Sequence, residues 1–599
     1  MCGIVGSMGQ SNRTWVEEAL ASMAHRGRDG IALIEGENFA IAQNRLAITA
    51  IDTTPLHTVE GISVVFNGEI YNYEALAQKL GITVESETQL IIEAYRAWGE
   101  SFVKELDGMF AIALIDARNG VQGFLYRDRV GKKPLFYLPL EGVLSFASEL
   151  GALAPLDGVR HDNIALAQYL SYETTLSPMT FYTKIQSLAP FSYLAWQEGK
   201  YRIERYGDWL PKSFTVHHHD VALDALDRAL HEAIAKRIPR EVPYVSLLSG
   251  GVDSALIAAL LREHGELDTY TIGYEGWEKH DERPYAAQVA KVLGTHHHEV
   301  LFGYEEFLTS IDRALDALGA PHNDPAAVPL YALMEHIATT SNARVVFSGE
   351  GSDELFLGYR PHIEMLEIES LKHLSKKGWL SNYFTAHPVE HREWHWYSRI
   401  FNDEVLFRSS LESWSASSVK RLMRQSHPTY DDFATIAPYR ARFEASGHRD
   451  DNLWYRYIDV QLHQGEYFLT KLDRMSMAHT LEARAPFMDT HLIESAFGIA
   501  PHLFVEGRRT KHLLKALAHR YLLRETVERK KRGFSYPYTQ WMTRMGALES
   551  MRAWNGTHKL LKPQALEHAI AAFAKGQYKQ HVFGLYVLLR WHATHEETL

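Results

Sequence analysis

The sequence predicts two globular parts, an N-terminal α+β part rich in antiparallel strands and a C-terminal α/β part that continues into a mainly helical region. Short apolar runs broken by Gly, Asn and Asp extend from residue 1 to about 205, which is typical of antiparallel strands. Strand-turn-helix units at 244–261 and 343–354, with the apolar run 269–274, indicate a parallel sheet with crossover helices. Beyond about 360 the pattern is largely helical.

A polar, proline-containing stretch at 209–220 separates the two parts, and helical periodicity begins after it. We therefore predict one domain at 1–208 and a second at 209–599. A chain of 599 residues of which 46% are hydrophobic can bury more than one core, since domains usually contain ~100–200 residues.

The charge balance argues against two classes of partner. With 62 Lys and Arg against 74 Asp and Glu, the net charge is -12, and the chain has no long basic run that would bind nucleic acid or an anionic membrane. Its apolar stretches, such as 110–115 and 255–261, are far shorter than the ~18 residues needed to cross a bilayer. One cysteine cannot form an internal disulfide, and the N-terminus lacks a signal-peptide pattern, so a cytoplasmic location is predicted.

Cys2 is the only cysteine, and it directly follows the initiator methionine. The thiolate is the reactive form of cysteine, and a free thiol, with a pKa of about 8.5, benefits from a neighbouring base. Removal of Met1 would give Cys2 an α-amine with a pKa of about 7.7–8.0, which is such a base on the same residue. The N-terminus therefore predicts a self-contained nucleophile.

The segment FNGEIYN, at 66–72, supplies groups for a reaction at an amide carbonyl. The side-chain amide of Asn67 and the backbone N–H of Gly68 are donors that can stabilise a developing oxyanion. Arg45 can bind a substrate carboxylate through two hydrogen bonds, and Glu69 and Glu87 can bind an α-ammonium group. Each residue alone is commonly structural, but the combination favours a catalytic site.

A series of segments resembles the glutaminase domain of the class II glutamine amidotransferases: MCGIVG, HRGRDG, NRLAI, FNGEIYNY, LDGMFAIALID, RDRVGKKPLFY and FASE, in that order. The resemblance implies the four-layer αββα sandwich of the N-terminal-nucleophile hydrolases, with Cys2 as the nucleophile that hydrolyses glutamine. It also implies an oxyanion hole and a glutamine clamp. The residues for these roles are Asn67 and Gly68 for the oxyanion hole, and Arg45, Glu69 and Glu87 for the clamp.

Two positions depart from the pattern of that family. Arg28 in RGRDG stands where proline is usual, and Glu87 in SETQ stands where aspartate is usual. The glutamate keeps the negative charge but extends it by one methylene group, and a shift of about 1 Å in a positioning group can cost ~10²-fold in rate.

The run LLSGGVDSA, at 247–255, follows an apolar strand and begins a helix, where α/β sheets bind ligands. Gly250 and Gly251 allow close approach of the backbone to a phosphate, and Ser249 and Ser254 supply hydroxyl groups near the helix N-terminus. The sequence contains neither GxxxxGK[ST] nor GxGxxG. A phosphate site of another type is therefore predicted.

SGGVDS resembles the pyrophosphate loop of the N-type ATP pyrophosphatases, which transfer AMP and release pyrophosphate. In that chemistry, Asp253 and Asp353 of SGEGSDE suit Mg²⁺, which prefers one or two carboxylates together with phosphate oxygens. Lys531 in RKKRGFSYP aligns with a lysine of the family and implies a further positive charge. The ATP site implied by the resemblance consists of Leu248, Ser249, Gly250, Gly251, Asp253, Ser254, Ile272, Ser348, Gly349 and Lys531.

With YTIGYEG, FSGEGSDELFLGY and KLDRMSMAHTLEARAPFMD, nearly the whole chain resembles the glutamine-hydrolysing asparagine synthetases. The resemblance implies glutamine, aspartate and ATP as substrates, Mg²⁺ as cofactor and a homodimer as assembly. Aspartate would be activated as an aspartyl-adenylate, and ammonia released at Cys2 would reach it through an internal passage and displace AMP. Glu350 would be the base for the incoming amine.

Three other functions agree with parts of the pattern. A related amidotransferase could activate another carboxylate, such as a sugar uronic acid or a peptide acid, by the same adenylate chemistry. A lactam-forming synthetase needs no ammonia, but such relatives tend to lose the N-terminal cysteine and carry tyrosine at the position of Glu350. A catalytically silent paralogue that only binds nucleotide is favoured by Arg28 and Glu87 alone, against an intact Cys2 and Asn67.

Two histidine clusters, HHHD at 217–220 and HHHE at 296–299, lie in predicted loops and lack regular ligand spacing. We interpret both as surface or packing features and predict no zinc site.

Overall fold

The computed structural model of the chain describes residues 2–49, 57–156, 162–374, 377–387, 392–406, 413–425, 430–431, 433–530 and 535–595. Its strands form three sheets. The strands are β1 Cys2–Met8, β2 Gly30–Gly36, β3 Phe39–Arg45, β4 Thr58–Val59, β5 Ile62–Ile70, β6 Gly108–Asp116, β7 Gln122–Arg127, β8 Phe136–Leu140, β9 Val143–Ala147, β10 Gln186–Ser187, β11 Ser192–Gln197, β12 Lys200–Arg205, β13 Tyr244–Leu247, β14 Asp268–Tyr274, β15 His296–Phe302, β16 Val345–Phe347 and β17 Glu482–Arg484.

Helices cover the sheets and make up most of the chain after β16. The α-helices are α1 Arg13–Ser22, α2 Tyr73–Leu80, α3 Glu87–Trp98, α4 Leu150–Leu153, α5 Asn163–Tyr172, α6 His219–Ala235, α7 Val252–Arg262, α8 Arg283–Leu293, α9 Tyr304–Leu318, α10 Ala327–Thr340, α11 Ser352–Leu355, α12 Arg360–Glu369, α13 Lys377–Ala386, α14 Arg392–Phe401, α15 Ala416–Leu422, α16 Ala437–Ala445, α17 Asp451–Ile458, α18 Leu469–Met477, α19 Thr490–Gly498, α20 His512–Ala518, α21 Arg524–Glu528, α22 Tyr538–Arg544, α23 Ala547–His558, α24 Pro563–Ala574 and α25 Lys579–Thr594. A buried π-helix, Asp459–Phe468, joins α17 to α18.

The first two sheets are antiparallel, in the orders β10-β8-β9-β1-β3-β2 and β12-β11-β7-β6-β5-β4. Successive residues of a strand point to opposite faces, and in β6 both faces are buried. Ala113 and Ile115 lie in the core between the two sheets with Ile4 of β1, whereas Ile112 lies in the core that contains Leu90 of α3. Helix α1 packs on the first sheet and α3 on the second, which confirms the predicted αββα sandwich.

The third sheet is parallel throughout, in the order β15-β14-β13-β16-β17, which confirms the predicted parallel sheet. From β13 the chain proceeds outward to β14 and β15, and it returns to the other side of β13 with β16. The loops that follow β13 and β16 therefore diverge from a switch point, where sheets of this kind bind ligands.

None of the helices in the described ranges is long and apolar enough to span a lipid bilayer. The region after β16 is mainly helical, as predicted, and α18 lies buried against β17 and the π-helix.

The prediction of loops for the histidine clusters is wrong in part. His296, His297 and His298 begin β15 and pair in parallel with β14, and α6 already begins at His219. Pairing with a central strand supplies hydrogen bonds that the local composition does not predict. His298 Nε2 lies 2.7 Å from Asp268 Oδ1 on the neighbouring strand.

Candidate active sites

A cavity of about 260 Å³ opens at the beginning of β1, where Cys2 lies. Of the residues predicted for glutamine hydrolysis, Cys2, Arg45, Gly68, Glu69 and Glu87 line this cavity. They belong to β1, β3, β5 and the first turn of α3, which meet at one end of the sandwich. We call this space the thiol cavity.

The thiol of Cys2 is held in a buried position. Gln43 Nε2 donates a hydrogen bond to Cys2 Sγ at 3.2 Å, and Gln43 Oε1 accepts one from the Phe66 N–H at 2.8 Å. Arg26 Nε donates to the Cys2 carbonyl oxygen at 3.2 Å. Burial raises the pKa of the Cys2 thiol, so a base must assist the formation of the thiolate.

Asn67 is fully buried beside Cys2 and offers an unused donor. Its Oδ1 accepts a hydrogen bond from the Cys2 nitrogen at 3.1 Å, while its Nδ2 has no hydrogen-bond partner within the described residues. A buried donor without a partner costs about 1–3 kcal/mol, which is expected where the partner arrives with a substrate. Gly68 follows with φ of 156°, and a Cβ there would lie 1.9 Å from the Met109 carbonyl oxygen, so only glycine fits.

We expect Asn67→Ala to lower the rate of glutamine hydrolysis by about 10²–10³-fold, because one oxyanion donor is lost. Formation of asparagine from aspartate and ammonium should persist, because Asn67 does not line the second cavity, which is described below. The measurement is glutamate formation under saturating glutamine. Asn72→Ala is a control on the same segment, where the side chain binds backbone atoms of Glu105 and Asp107 instead. If Asn67→Ala hydrolyses glutamine at the parent's rate, the assignment of Asn67 as an oxyanion donor is contradicted.

Glu69 and Glu87 place two carboxylates in the thiol cavity. Burial raises the pKa of both groups, and for Glu87 the nearby charge of Glu69 raises it further. The Thr49 hydroxyl donates to Glu69 at 2.8 Å, and the Ile70 N–H donates to Glu87 at 2.6 Å. A substrate ammonium group would relieve the repulsion between the two carboxylates, while Arg45 lies on the same cavity wall with its Nη2 donating to the Thr49 carbonyl oxygen.

A second cavity, of about 360 Å³, lies at the carboxyl ends of β13, β14 and β16, and we call it the nucleotide cavity. Ten residues of the predicted ATP, metal and base sites line it together: Leu248, Ser249, Gly251, Asp253, Ser254, Ile272, Ser348, Gly349, Glu350 and Asp353. Gly250 turns the loop with φ of 69°, where a Cβ would lie 2.8 Å from the Ala286 nitrogen. Lys531 lies outside the described residues.

Lys511 lies between the two carboxylates predicted to bind Mg²⁺. Its Nζ is 2.5 Å from Asp253 Oδ1, 2.8 Å from Asp353 Oδ1 and 2.8 Å from Ser352 Oγ. The residue is buried, and its φ of 54° is a strained conformation for a residue with a Cβ. Such strain persists where the surroundings enforce it, often at functional sites.

The same arrangement shows whether Mg²⁺ fits. Asp253 and Asp353 converge on one cation beside the phosphate loop, and Mg²⁺ is usually held by one or two carboxylates plus phosphate oxygens. Across the described residues, no three or more His, Cys, Asp and Glu side chains are grouped to hold a metal ion by themselves. Asp253 and Asp353 would hold Mg²⁺ together with phosphate oxygens, and in this structure the Lys511 ammonium group is the cation between them.

The far wall of the nucleotide cavity carries further charged groups. Lys471 Nζ lies 2.7 Å from Asp324 Oδ2 and 3.9 Å from Glu350 Oε1. Burial raises the pKa of Glu354 to about 8, and this carboxyl group accepts a hydrogen bond from the Tyr359 hydroxyl. A protonated Glu354 adds no negative charge next to a nucleotide at neutral pH.

Consecutive residues of helix α18 line the nucleotide cavity and a further, smaller cavity. Lys471 and Leu472 line the nucleotide cavity, while Leu472 and Asp473 line a third cavity of about 10 Å³, which we call the middle cavity. Asp473 Oδ2 lies 2.8 Å from Nη2 of Arg26, the residue that also binds the Cys2 carbonyl oxygen.

On its other side the middle cavity approaches the thiol cavity. Tyr71 and Met109 line it, and Met109 pairs across strands β5 and β6 with Glu69 of the thiol cavity. A volume of ~10–15 Å³ holds one water-sized molecule, so the middle cavity has room for one small solute between the two larger sites.

Sequence reasoning missed several residues that the structure places at the sites. Gln43, which contacts the thiol, directly precedes the segment NRLAI, and Lys471 is the first residue of the segment KLDRMSMAHTLEARAPFMD. The family resemblance of these segments could therefore have pointed to both residues. Lys511 is 258 residues from Asp253 and stands in no recognised motif. Arg28, one of the two departures, is exposed and does not line the thiol cavity, whereas Glu87 does.

Comparison with known proteins places both halves among described families. The model of the glutamine amidotransferase domain matches residues 1–207, and the model of asparagine synthase matches residues 225–593. Asparagine synthetase [glutamine-hydrolyzing] 1 of Bacillus subtilis is 28% identical over 90% of this chain and 88% of its own length. A putative asparagine synthetase [glutamine-hydrolyzing] 2 of Methanocaldococcus jannaschii is 30% identical over 63% of this chain and 79% of its own length. A putative asparagine synthetase [glutamine-hydrolyzing] of Mycobacterium bovis is 26% identical over 99% of this chain and 95% of its own length.

Proposed function

Since the chain belongs to the asparagine synthase family and is a glutamine-hydrolysing ligase of that type, we propose that it converts aspartate to asparagine with nitrogen from glutamine and energy from ATP. The observation that carries the proposal is the arrangement of the three cavities. A buried thiol with an unused amide donor lies at one end, a phosphate loop with two carboxylates lies at the other, and a cavity for one small molecule lies between them.

The first half-reaction takes place at Cys2. The Cys2 nitrogen lies against Asn67 Oδ1, and after removal of Met1 it is the α-amine that accepts the thiol proton. The thiolate attacks the side-chain carbonyl carbon of glutamine, and Asn67 Nδ2 and the Gly68 N–H stabilise the oxyanion. Collapse of this intermediate releases ammonia, which carries away the proton from the α-amine and leaves a thioester. Water then hydrolyses the thioester to glutamate and restores the thiol.

The second half-reaction takes place in the nucleotide cavity. The side-chain carboxylate of aspartate attacks the α-phosphate of ATP, and pyrophosphate leaves along the loop 248–254. Asp253 and Asp353 would hold Mg²⁺, which supplies positive charge to the departing pyrophosphate. Ammonia attacks the carbonyl carbon of the adenylate, Glu350 accepts a proton from the new amine, and AMP leaves.

The proposal is tested by one assay with separated nitrogen sources. Purified protein receives ATP, Mg²⁺, aspartate and either glutamine or ammonium, and asparagine, glutamate, AMP and pyrophosphate are quantified. We expect equal amounts of asparagine, AMP and pyrophosphate with either nitrogen source. ADP as the nucleotide product would contradict the adenylate mechanism. Glutamate without asparagine and without AMP would point to another carboxylate as the acceptor, such as a uronic acid or a peptide acid.

A further inference from the structure

The middle cavity contains a buried lysine that neither half-reaction uses. It is lined by the charged residues Lys132, Lys133, Arg237 and Asp473 and by apolar residues that include Met109 and Leu472. Lys132 is 7% exposed, and no hydrogen bond or ion pair links its Nζ to any residue in the described ranges. A buried amine at a cavity wall, with no partner among the described residues, is placed to bind a small molecule in that cavity.

Each carboxylate near Lys132 has a cationic side chain or a backbone N–H group as a partner of at least one of its oxygens. Asp473 lies 2.8 Å from Arg26 and 3.4 Å from Lys133. The remaining contacts are Asp489 with Arg237 and Lys236, Asp107 with Lys236, and Asp128 with the backbone N–H groups of Val130, Gly131, Lys132 and Lys133. Asp473 lines the middle cavity, and its two oxygens contact Arg26 and Lys133, so this carboxylate is not left to hold an ammonium group there.

We propose that Lys132 is the transit residue for ammonia: a positioning residue whose side-chain amine forms a hydrogen bond with one ammonia molecule in the middle cavity, on the way of that ammonia to the nucleotide cavity. This inference rests on the proposed function. A neutral amine both accepts and donates a hydrogen bond, and ammonia does the same, so the pair can form without a charge. The cavity volume of about 10 Å³ admits one such molecule at a time.

The electrostatic surroundings favour this uncharged form. Burial, reinforced by the positive charge of Arg237, lowers the pKa of Lys132 to about 7. Burial and the charge of Arg237 also disfavour an ammonium ion in the cavity. The nitrogen therefore crosses as neutral ammonia, which is the nucleophilic form. Below pH 7 the protonated Lys132 no longer accepts a hydrogen bond and places a positive charge in the passage.

The test measures coupling, defined as asparagine formed per glutamate formed from glutamine. An ammonium-consuming enzyme removes leaked ammonia, and each half-reaction is measured separately for normalisation. We expect the parent's coupling to fall between about pH 8.5 and about pH 6, as Lys132 becomes protonated. Lys132→Met should lower coupling at the higher pH by about threefold to tenfold, the value of one lost hydrogen bond, and should remove the dependence on pH.

Two further variants make the result specific. Lys132→Gln keeps a donor and an acceptor but does not titrate, so it should couple like the parent at the higher pH and show no fall at the lower pH. Lys79→Met, which removes an exposed lysine of α2 paired with Glu105, should match the parent. If Lys132→Met loses ammonium-dependent synthesis through misfolding, Lys132→Gln decides the question.

The inference is contradicted if Lys132→Met retains the parent's coupling and pH profile, or if Lys132→Gln is as defective as Lys132→Met at the higher pH. A parent that makes asparagine from ammonium but never from glutamine would contradict the inference and leave the aspartate acceptor in place. A parent that makes asparagine from neither source contradicts the proposed function and, with it, this inference.

Discussion

Replacement of Cys2 by alanine is expected to abolish glutamine-dependent synthesis, with a loss of about 10⁴-fold or more, because no second thiol exists in the chain to replace the nucleophile. Synthesis from ammonium should continue near the parental rate, since Cys2 does not line the nucleotide cavity. The measurement is asparagine formation with each nitrogen source in turn.

The ammonium reaction is the internal control for folding of the Cys2→Ala variant. Met8→Leu provides a matched control on the same strand, because it conserves volume at a buried position and should keep both activities. Residual glutamine-dependent synthesis above a thousandth of the parental rate, on the order of what catalysis without a nucleophile allows, would exclude Cys2 as the attacking group.

Lys511→Met is expected to lower ammonium-dependent synthesis by about 10²-fold or more, because Asp253 and Asp353 then face each other without the cation that joins them. Breaking a buried ion pair typically costs about 3–5 kcal/mol, so the temperature of unfolding should fall as well. Added Mg²⁺ should recover part of the stability, since the two buried carboxylates that would hold Mg²⁺ with the nucleotide then lack the positive charge of Lys511. Thermal unfolding with and without Mg²⁺ and the rate of AMP formation provide the readout.

Lys515→Met is the matched control for this position, one turn further along α20 and only half-buried. It should leave AMP formation within about twofold of the parent, as is usual for changes outside such clusters. Glutaminase activity of Lys511→Met should persist, because the thiol cavity does not contain this lysine. Equal synthetase rates in the Lys511→Met variant and the parent would show that Lys511 has no part in the reaction.

The sequence was sufficient to predict those parts of the sites that depend on neighbours along the chain. Asn67 and Gly68 stand next to each other, and Ser249 and Asp253 belong to one turn, so a short motif contains both the residue types and their spacing. The meeting of Asp253 with Asp353 was also predictable, because parallel strands end at the same edge of a sheet.

Contacts across long sequence separations were not predictable from one chain. Lys511 reaches Asp253 only because α20 packs behind the phosphate loop, and no local pattern records this packing. The middle cavity likewise combines residues that are far apart in the chain, such as Met109 of β6 and Asp473 of α18. The segment GKKPLFY was recognised as part of a family pattern, but nothing in it indicated that Lys132 would be left without a partner.

Asp473 is shared by two cations from the other half of the chain, Arg26 and Lys133, which are themselves almost completely buried. A buried ion-pair network therefore joins sequence-distant parts of this chain. In a fragment that lacks Asp473, Arg26 would keep its ion pair with Glu149, whereas Lys133 would lose the one to Asp473. Expression of the two parts as separate polypeptides is therefore expected to cost stability at this contact, because it removes one partner of a buried pair.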